Sequence, residues 1–326
     1  MNLNIEDLTS LLDVACEAAL EAGKIIKGYS IDELKVKKKD TGSTKASQVV
    51  TEVDINSQRA ILDVIQPTLK LWDLALLSEE LDDDGSRFKK DYFWAIDPLD
   101  GTLPFVEGKD GYAVSISLIS RTGTPVLGVV FDPTTDTLYH AIKGNGAFRS
   151  NGSFCNRSQG ELFKDLNGKR FALSFLQSGK STLKDLRTEK SERTPCHFIV
   201  DRSLKQLLDQ DNLRQELVDA LKDRGLLFSE SLSHRGSVMN ACQAMDKPPA
   251  CYFKPPKKED GGGCIWDFAA TSCIFTEAGG VVSDYFGHPL NLNSSHTVFM
   301  NRRGVMFATT RELGELCIQA LKDIFE

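Results

Sequence analysis

The chain has 326 residues, with 39 Lys and Arg against 46 Asp and Glu, so its formal charge is −7. Hydrophobic residues at 41% and charged residues at 26% are the proportions of a folded globular chain, which excludes intrinsic disorder. The acidic balance argues against a nucleic-acid polymer as partner, and no apolar run reaches the ~20 residues of a membrane span. The opening residues Met1–Asp7 lack the basic and apolar regions of a secretion signal, so a cytoplasmic location is expected. The length fits two domains or one large α/β unit.

In chain order, Leu8, Leu12, Ala15, Ala19, Ala22 and Ile26 recur every three or four residues, predicting an amphipathic helix over 5–29. Lys35–Ser43 is polar and basic and reads as an exposed loop. A second helix begins near Asp54 and is expected to stop before Pro67. Leu74–Ser78 reads as a short buried strand. Tyr92–Ile96, Gly111–Ile119, Pro125–Asp132 and Thr137–Ile142, punctuated by Gly and Pro, predict an antiparallel sheet. Composition loosens after Gly152, placing a domain division near 150–156: residues 1–155 as an α+β half and 156–326 as an α/β half. Beyond it, Phe171–Leu176 is the best strand, 203–223 reads as helix, and a helix from Trp266 ends at Ala278-Gly279-Gly280. Val281–Ser283 then begins a strand, and the last helix covers 311–324. Eight cysteines without a CxxC pair read as reduced, mostly buried thiols rather than a disulfide or zinc framework.

The segment Trp94-Ala95-Ile96-Asp97-Pro98-Leu99-Asp100-Gly101-Thr102 carries the clearest chemistry. Two carboxylates three apart, at the end of a strand, repel unless one is protonated or a cation lies between them. Oxygen ligands favour Mg²⁺ or Mn²⁺, and the following Gly101 and Thr102 N–H groups are free to face an anion. The plainer reading is an Asp-Pro turn with a capping Asp. Glu79-Glu80 follows a buried strand and reads either as surface charge or as a further ligand. Asp267 and Asp54 each stand at a helix start, where an N-cap is the competing role.

Taken together, these segments resemble the inositol monophosphatase superfamily of Mg²⁺-dependent, lithium-sensitive phosphatases. Its pattern is present as Glu79-Glu80, Trp94–Thr102, Trp266–Ala269 and Glu277–Gly280, spanning about 45–310. The resemblance implies a five-layer αβαβα sandwich of the inositol monophosphatase and fructose-1,6-bisphosphatase type. It implies that Glu79, Asp97 and the Leu99 carbonyl hold one metal, and that Asp97, Asp100 and Asp267 hold a second. Glu79 would help a third through water, so two or three Mg²⁺ are expected, with Mn²⁺ as substitute and Li⁺ and Ca²⁺ as inhibitors. Gly101 and Thr102 would bind phosphate through backbone N–H, and Thr102, oriented by Asp54, would help activate the attacking water. Hydrolysis of a small phosphomonoester would then be direct. Homodimers are common in the family, and a homodimer is compatible with this chain.

The substrate side departs from the pattern. After Gly101-Thr102 the chain reads Leu103-Pro104-Phe105-Val106-Glu107, without the Asn and His typical of the inositol branch. Lys254 stands where that branch carries Glu, which is closer to the 3′(2′),5′-bisphosphate nucleotidase branch. There a cation would meet a second phosphate; the alternative is a solvated loop with Lys257 and Lys258. The nucleotidase stretches appear only as Asp201-Arg202-Ser203-Leu204, lacking His, and Gly236-Ser237-Val238-Met239-Asn240, lacking Lys. His234 and Ser237 are therefore candidate substitute substrate contacts, although an exposed His is more often structural. A bisphosphate nucleotidase is the first expectation, an inositol or broad sugar-phosphate phosphatase the second, and a non-catalytic binding protein of the same fold the third.

Overall fold

A computed structural model of the chain describes residues 2–29, 36–38, 49–151, 171–173, 194–210 and 212–325. The first helix, α1 (Ile5–Gly28), starts on Asn4, whose side chain accepts from Glu6 and Asp7 N–H while Asp7 reaches back to the Asn4 N–H. Val36–Lys38 (β1) pairs antiparallel with Val49–Thr51 (β2), so part of the expected basic loop is strand. Lys35 and residues 39–43 of that stretch lie outside the described residues.

Helix α2 (Glu52–Leu71) runs through Pro67 instead of stopping before it. Its last turn is held from outside, because Trp94 Nε1 donates to the buried Thr68 hydroxyl at 2.9 Å. That tertiary anchor offsets the hydrogen bond Pro67 cannot donate.

A seven-stranded sheet follows: β3 (Ala75–Ser78), β4 (Tyr92–Asp100), β5 (Ala113–Ser120), β6 (Pro125–Asp132), β7 (Thr137–Ile142), β8 (Ala147–Asn151) and β9 (Phe171–Leu173). They lie side by side in that order, with β3 and β4 parallel and every later pair antiparallel. The short helix α3 (Thr102–Val106) leaves the end of β4. The first sheet closes with β9, beyond the expected division at 155, and residues 174–176 of that expected strand are outside the described residues.

The second sheet contains β10 (Thr194–Val200), β11 (Leu226–Leu232), β12 (Ala250–Lys254), β13 (Val281–Ser283) and β14 (Val305–Ala308), in the order β11-β10-β12-β14-β13. Its helices are α4 (Arg202–Leu208), α5 (Leu213–Asp223), α6 (Ser237–Asp246), α7 (Ile265–Glu277) and α8 (Arg311–Phe325). The single helix expected over 203–223 is thus two, separated by the polar stretch around Asp209, which pairs with both Lys205 and Arg214.

Alternation along the strands explains the layering. On β4, Trp94 and Ile96 pack with Leu11, Ala15, Ile61 and Ile65 of α1 and α2, while Phe93 and Ala95 face Ile265 and Ala269 of α7. On β12, Tyr252 packs with Val238 and Phe268 of α6 and α7, and Cys251 and Phe253 face Leu217, Leu313 and Cys317 on the far side. Both sheets are therefore apolar on both faces, with α6 and α7 between them: helices, sheet, helices, sheet, helices. This is the expected α/β sandwich of five layers. The seven described cysteines are buried, and no disulfide joins any of them. Among the described residues, no helix is long and apolar enough to cross a membrane.

Candidate active site

The site grows from a fault in one strand. Residues three apart in a regular strand point to opposite faces. Between Asp97, opposite Ser115, and Asp100, opposite Ala113, β4 takes three steps while β5 takes two. Pro98, which has no N–H for the ladder, lies in this bulge. The extra residue turns both carboxylates to one side, where Asp97, Asp100 and Asp267 bring oxygens within 4.8 Å of one another. Gly101 follows at φ +85°, a left-handed turn that opens α3; a side chain there would meet the Gly111 carbonyl oxygen at 2.9 Å.

Each acid is held by a different element. Asp97 Oδ1 accepts from the Leu99 N–H at 3.0 Å. Asp100 accepts at both oxygens, from the Ser237 N–H at 3.1 Å and the Val238 N–H at 2.9 Å, in the first turn of α6. Gly236 permits that approach, since a Cβ on it would lie 2.1 Å from Asp100 Oδ2. Its own N–H donates to the Gly111 carbonyl at 2.8 Å. Asp267 is not the N-cap that the plainer reading makes it: Cys264 holds that place, and Asp267, the third residue of α7, accepts the Cys264 N–H as in a capping box, while its carboxylate also faces Asp100. The two roles coexist. Glu79, at the end of β3, donates its N–H to the Ile96 carbonyl at 3.1 Å, and its carboxyl is hydrogen-bonded to Asp97.

The electrostatics follow from this crowding. Burial, then the charges of Glu79, Asp267 and Asp100, push Asp97 well above the usual carboxylate range. Burial and Asp267 do the same to Asp100. Asp267 is pushed up to about 6 by burial and Glu79, against the opposing pull of the Cys264 N–H and Lys254. Closely set, buried oxygen donors in need of positive charge are the chemistry of a hard divalent cation, and the residues present fit one.

Thr102, the first residue of α3, is buried, and its hydroxyl donates to Asp54 Oδ1 at 3.0 Å while lying 3.2 Å from the Leu99 carbonyl oxygen. Asp54 sits, almost fully buried, in the first turn of α2. Helix α2, the β4 bulge and α3 thus meet at one hydroxyl. The N–H groups of a helix's first turn have no acceptor inside the helix, and Gly101, the N-cap, and Thr102 stand at that place in α3.

The expected substrate residues are distributed differently. Ser237 is buried at the start of α6, where its N–H serves Asp100. Lys254 is largely covered and forms an ion pair with Asp201 at 3.1 Å. The cation acts on Asp100 and Asp267, so it borders the acid cluster. It is not part of a solvated loop. His234, more than a third exposed, is 2.7 Å from Asp110, which also pairs with Arg235 at 2.6 Å. Sequence reasoning missed Asp201 as a partner of Lys254, and missed Glu107, which Arg202 grips with both guanidinium nitrogens. The signal for Asp201 was its place before a helical run, as an N-cap; its pairing depends on strand register and was not readable.

The inositol monophosphatase family model matches residues 7–326. The Nus factor SuhB of Pasteurella multocida is 30% identical over 296 residues, covering 89% of this chain and 91% of that protein. The fructose-1,6-bisphosphatase/inositol-1-monophosphatase of Aquifex aeolicus is 37% identical over 145 residues, 44% of this chain and 52% of that one. Among solved structures, CysQ of Bacteroides thetaiotaomicron superposes with a TM-score of 0.65 at 23% identity, covering 93% of this chain and 98% of that one. With the family model matched almost end to end, the chain belongs to the inositol monophosphatase family, a family of phosphatases.

Proposed function

We propose that the protein is a Mg²⁺-dependent phosphomonoesterase that hydrolyses a small phosphate ester by direct attack of water. The observation that carries this reading is the convergence of Asp97, Asp100 and Asp267 within 4.8 Å, beside Glu79 and next to the start of α3 at Gly101 and Thr102. Glu79, Asp97, Asp100, Asp267 and the Leu99 carbonyl would hold the ions. When bound, Mg²⁺ would offset phosphate charge, acidify water and stabilise the departing alkoxide. The chain supplies the rest. Gly101 and Thr102 N–H groups orient the phosphoryl oxygens. The Thr102 hydroxyl, with its proton directed to Asp54, offers a lone pair that positions water for in-line attack.

Two substrate classes suit that chemistry. A largely covered cation at Lys254 favours a 3′(2′),5′-bisphosphate nucleotide, whose second phosphate it would meet. The pairing of Lys254 with Asp201 favours an inositol or sugar monophosphate. The relatives named Nus factors add a protein-partner reading, but no described surface feature favours it over a small phosphorylated ligand.

The test is release of inorganic phosphate from inositol 1-phosphate and adenosine 3′,5′-bisphosphate, each with MgCl₂ and with EDTA. Mg²⁺-dependent release from at least one ester is expected. Release from neither, or equal release in EDTA, rejects the assignment.

A further inference from the structure

Lys254 and Asp201 end adjacent strands. In the parallel pair β10–β12, Ile199 lies opposite Tyr252, so the same register carried two residues further sets Asp201 beside Lys254. Their side chains meet at 3.1 Å, with 7% of Asp201 and 16% of Lys254 exposed. Asp201 has little freedom to leave. Its Oδ1 accepts from the Leu204 N–H at 2.8 Å and from the Ser203 hydroxyl at 2.7 Å, while Oδ2 faces Lys254. The carboxylate is thus fixed by the helix it caps, not only by the cation. The pair borders the acid cluster: Lys254 shares a face of β12 with Tyr252, which packs with Val238 of α6, whose N–H holds Asp100, and the cation acts on both Asp100 and Asp267.

We infer that Asp201 is a specificity-determining residue: as the fixed counter-anion of Lys254, it sets this subsite to accept an uncharged hydroxyl rather than a second phosphate. The inference rests on the phosphomonoesterase reading above and chooses within it. A dianionic phosphate reaching Lys254 would stand beside a buried carboxylate that cannot withdraw, and like charges at that range repel strongly. A neutral hydroxyl meets no such obstacle. Lys254 has three N–H donors and commits one to Asp201. A hydroxyl oxygen can accept from a second, and its proton can go to Asp201 Oδ2. Selectivity of this kind comes from the penalty placed on the wrong ligand as much as from contacts to the right one.

Asp201→Asn and Asp201→Ser both remove the charge while keeping a side-chain acceptor for the α4 cap. In the wild type, kcat/KM for inositol 1-phosphate should exceed that for adenosine 3′,5′-bisphosphate. In both variants that ratio should fall by at least about tenfold, equivalent to ~1.4 kcal/mol of discrimination. An unchanged ratio in either folded variant overturns the inference. Calorimetric binding to the wild type reads the subsite without turnover, using adenosine 5′-monophosphate and adenosine 3′,5′-bisphosphate as probes. Tenfold tighter binding of the bisphosphate also overturns it, even if both variants fail to fold. Loss of all phosphate release, with the binding preference for the monophosphate intact, would instead reject the catalytic reading and leave the subsite assignment standing.

Discussion

Asp100 and Asp201 differ in little except their neighbours. Both are buried, and both accept backbone N–H groups from the first turn of a helix: Asp100 from α6, Asp201 from α4. Burial raises both. For Asp201, Lys254, the Leu204 N–H and Ser203 outweigh it and hold the carboxyl below its ordinary value. For Asp100, the Val238 N–H and the more distant Lys254 do not outweigh burial and Asp267, and the carboxyl stays well above it. A buried acid given its own cation is settled; one surrounded by other acids is left needing positive charge. The first can hold its charge without a metal, and the second belongs to a set of donors suited to one.

The sharpest way to break this comparison is Asp97→Asn. The substitution keeps shape and removes one carboxylate from the cluster. Phosphate release should fall by about a thousandfold or more, ~4 kcal/mol of transition-state stabilisation. Stability without metal should move the other way. In EDTA at pH 8 the variant should melt a few degrees above the wild type, ~1 kcal/mol corresponding to roughly 2–4 °C at large-domain size. A variant with wild-type turnover, or one less stable in EDTA, would show that Asp97 is already satisfied by its neighbours, as Asp201 is by Lys254.

Asp201→Asn should do the reverse in stability. It leaves Lys254 buried without its direct partner, a change that costs about 3 kcal/mol or more when no other charge is near. Asp100 and Asp267 lie close enough to soften the loss, so about 2–3 kcal/mol is expected. Urea unfolding in EDTA measures it. Equal stability of variant and wild type would mean that the pair is neutral and that its burial, not its charge, matters.

The two acids also differ in how readable they were. The strands β4 to β7 follow from short apolar runs punctuated by Gly and Pro, buried on both faces, and the helix α1 from the three-to-four spacing of the one face it packs. Asp97, Asp100 and Asp267 stood out as a motif, whereas the bulge that turns the first two together depends on pairing with β5, and Pro98 was its only local sign. The continuation of α2 past Pro67 was unreadable for the same reason: the Trp94–Thr68 bond joins residues 26 apart. Lys254 read as a free cation because its partner lies 53 positions earlier (254 − 201) and meets it only through parallel strand register.

The smallest effect expected is a pH dependence whose sign differs between the two sites. Asp267 is raised in the folded chain, from 3.8 to about 6. A group raised on folding binds its proton more tightly when folded, so its stabilising contribution is full below pH 3.8 and is lost as pH rises through about 6. Asp97 and Asp100, also raised, act in the same direction. Asp201 is lowered, so its contribution is present above 3.8 and is lost as pH falls through its lower folded value. In EDTA the melting temperature should therefore carry a falling component between pH 4 and 7, which Asp97→Asn flattens and Asp201→Asn leaves in place. Mg²⁺ competes with protons for the cluster, so its stabilisation should be small at pH 5 and grow toward pH 8. Melting curves with EDTA and with MgCl₂ at matched ionic strength test both halves. A Mg²⁺ shift equal at pH 5 and pH 8 would separate the cation from these carboxylates and place its binding elsewhere on the chain.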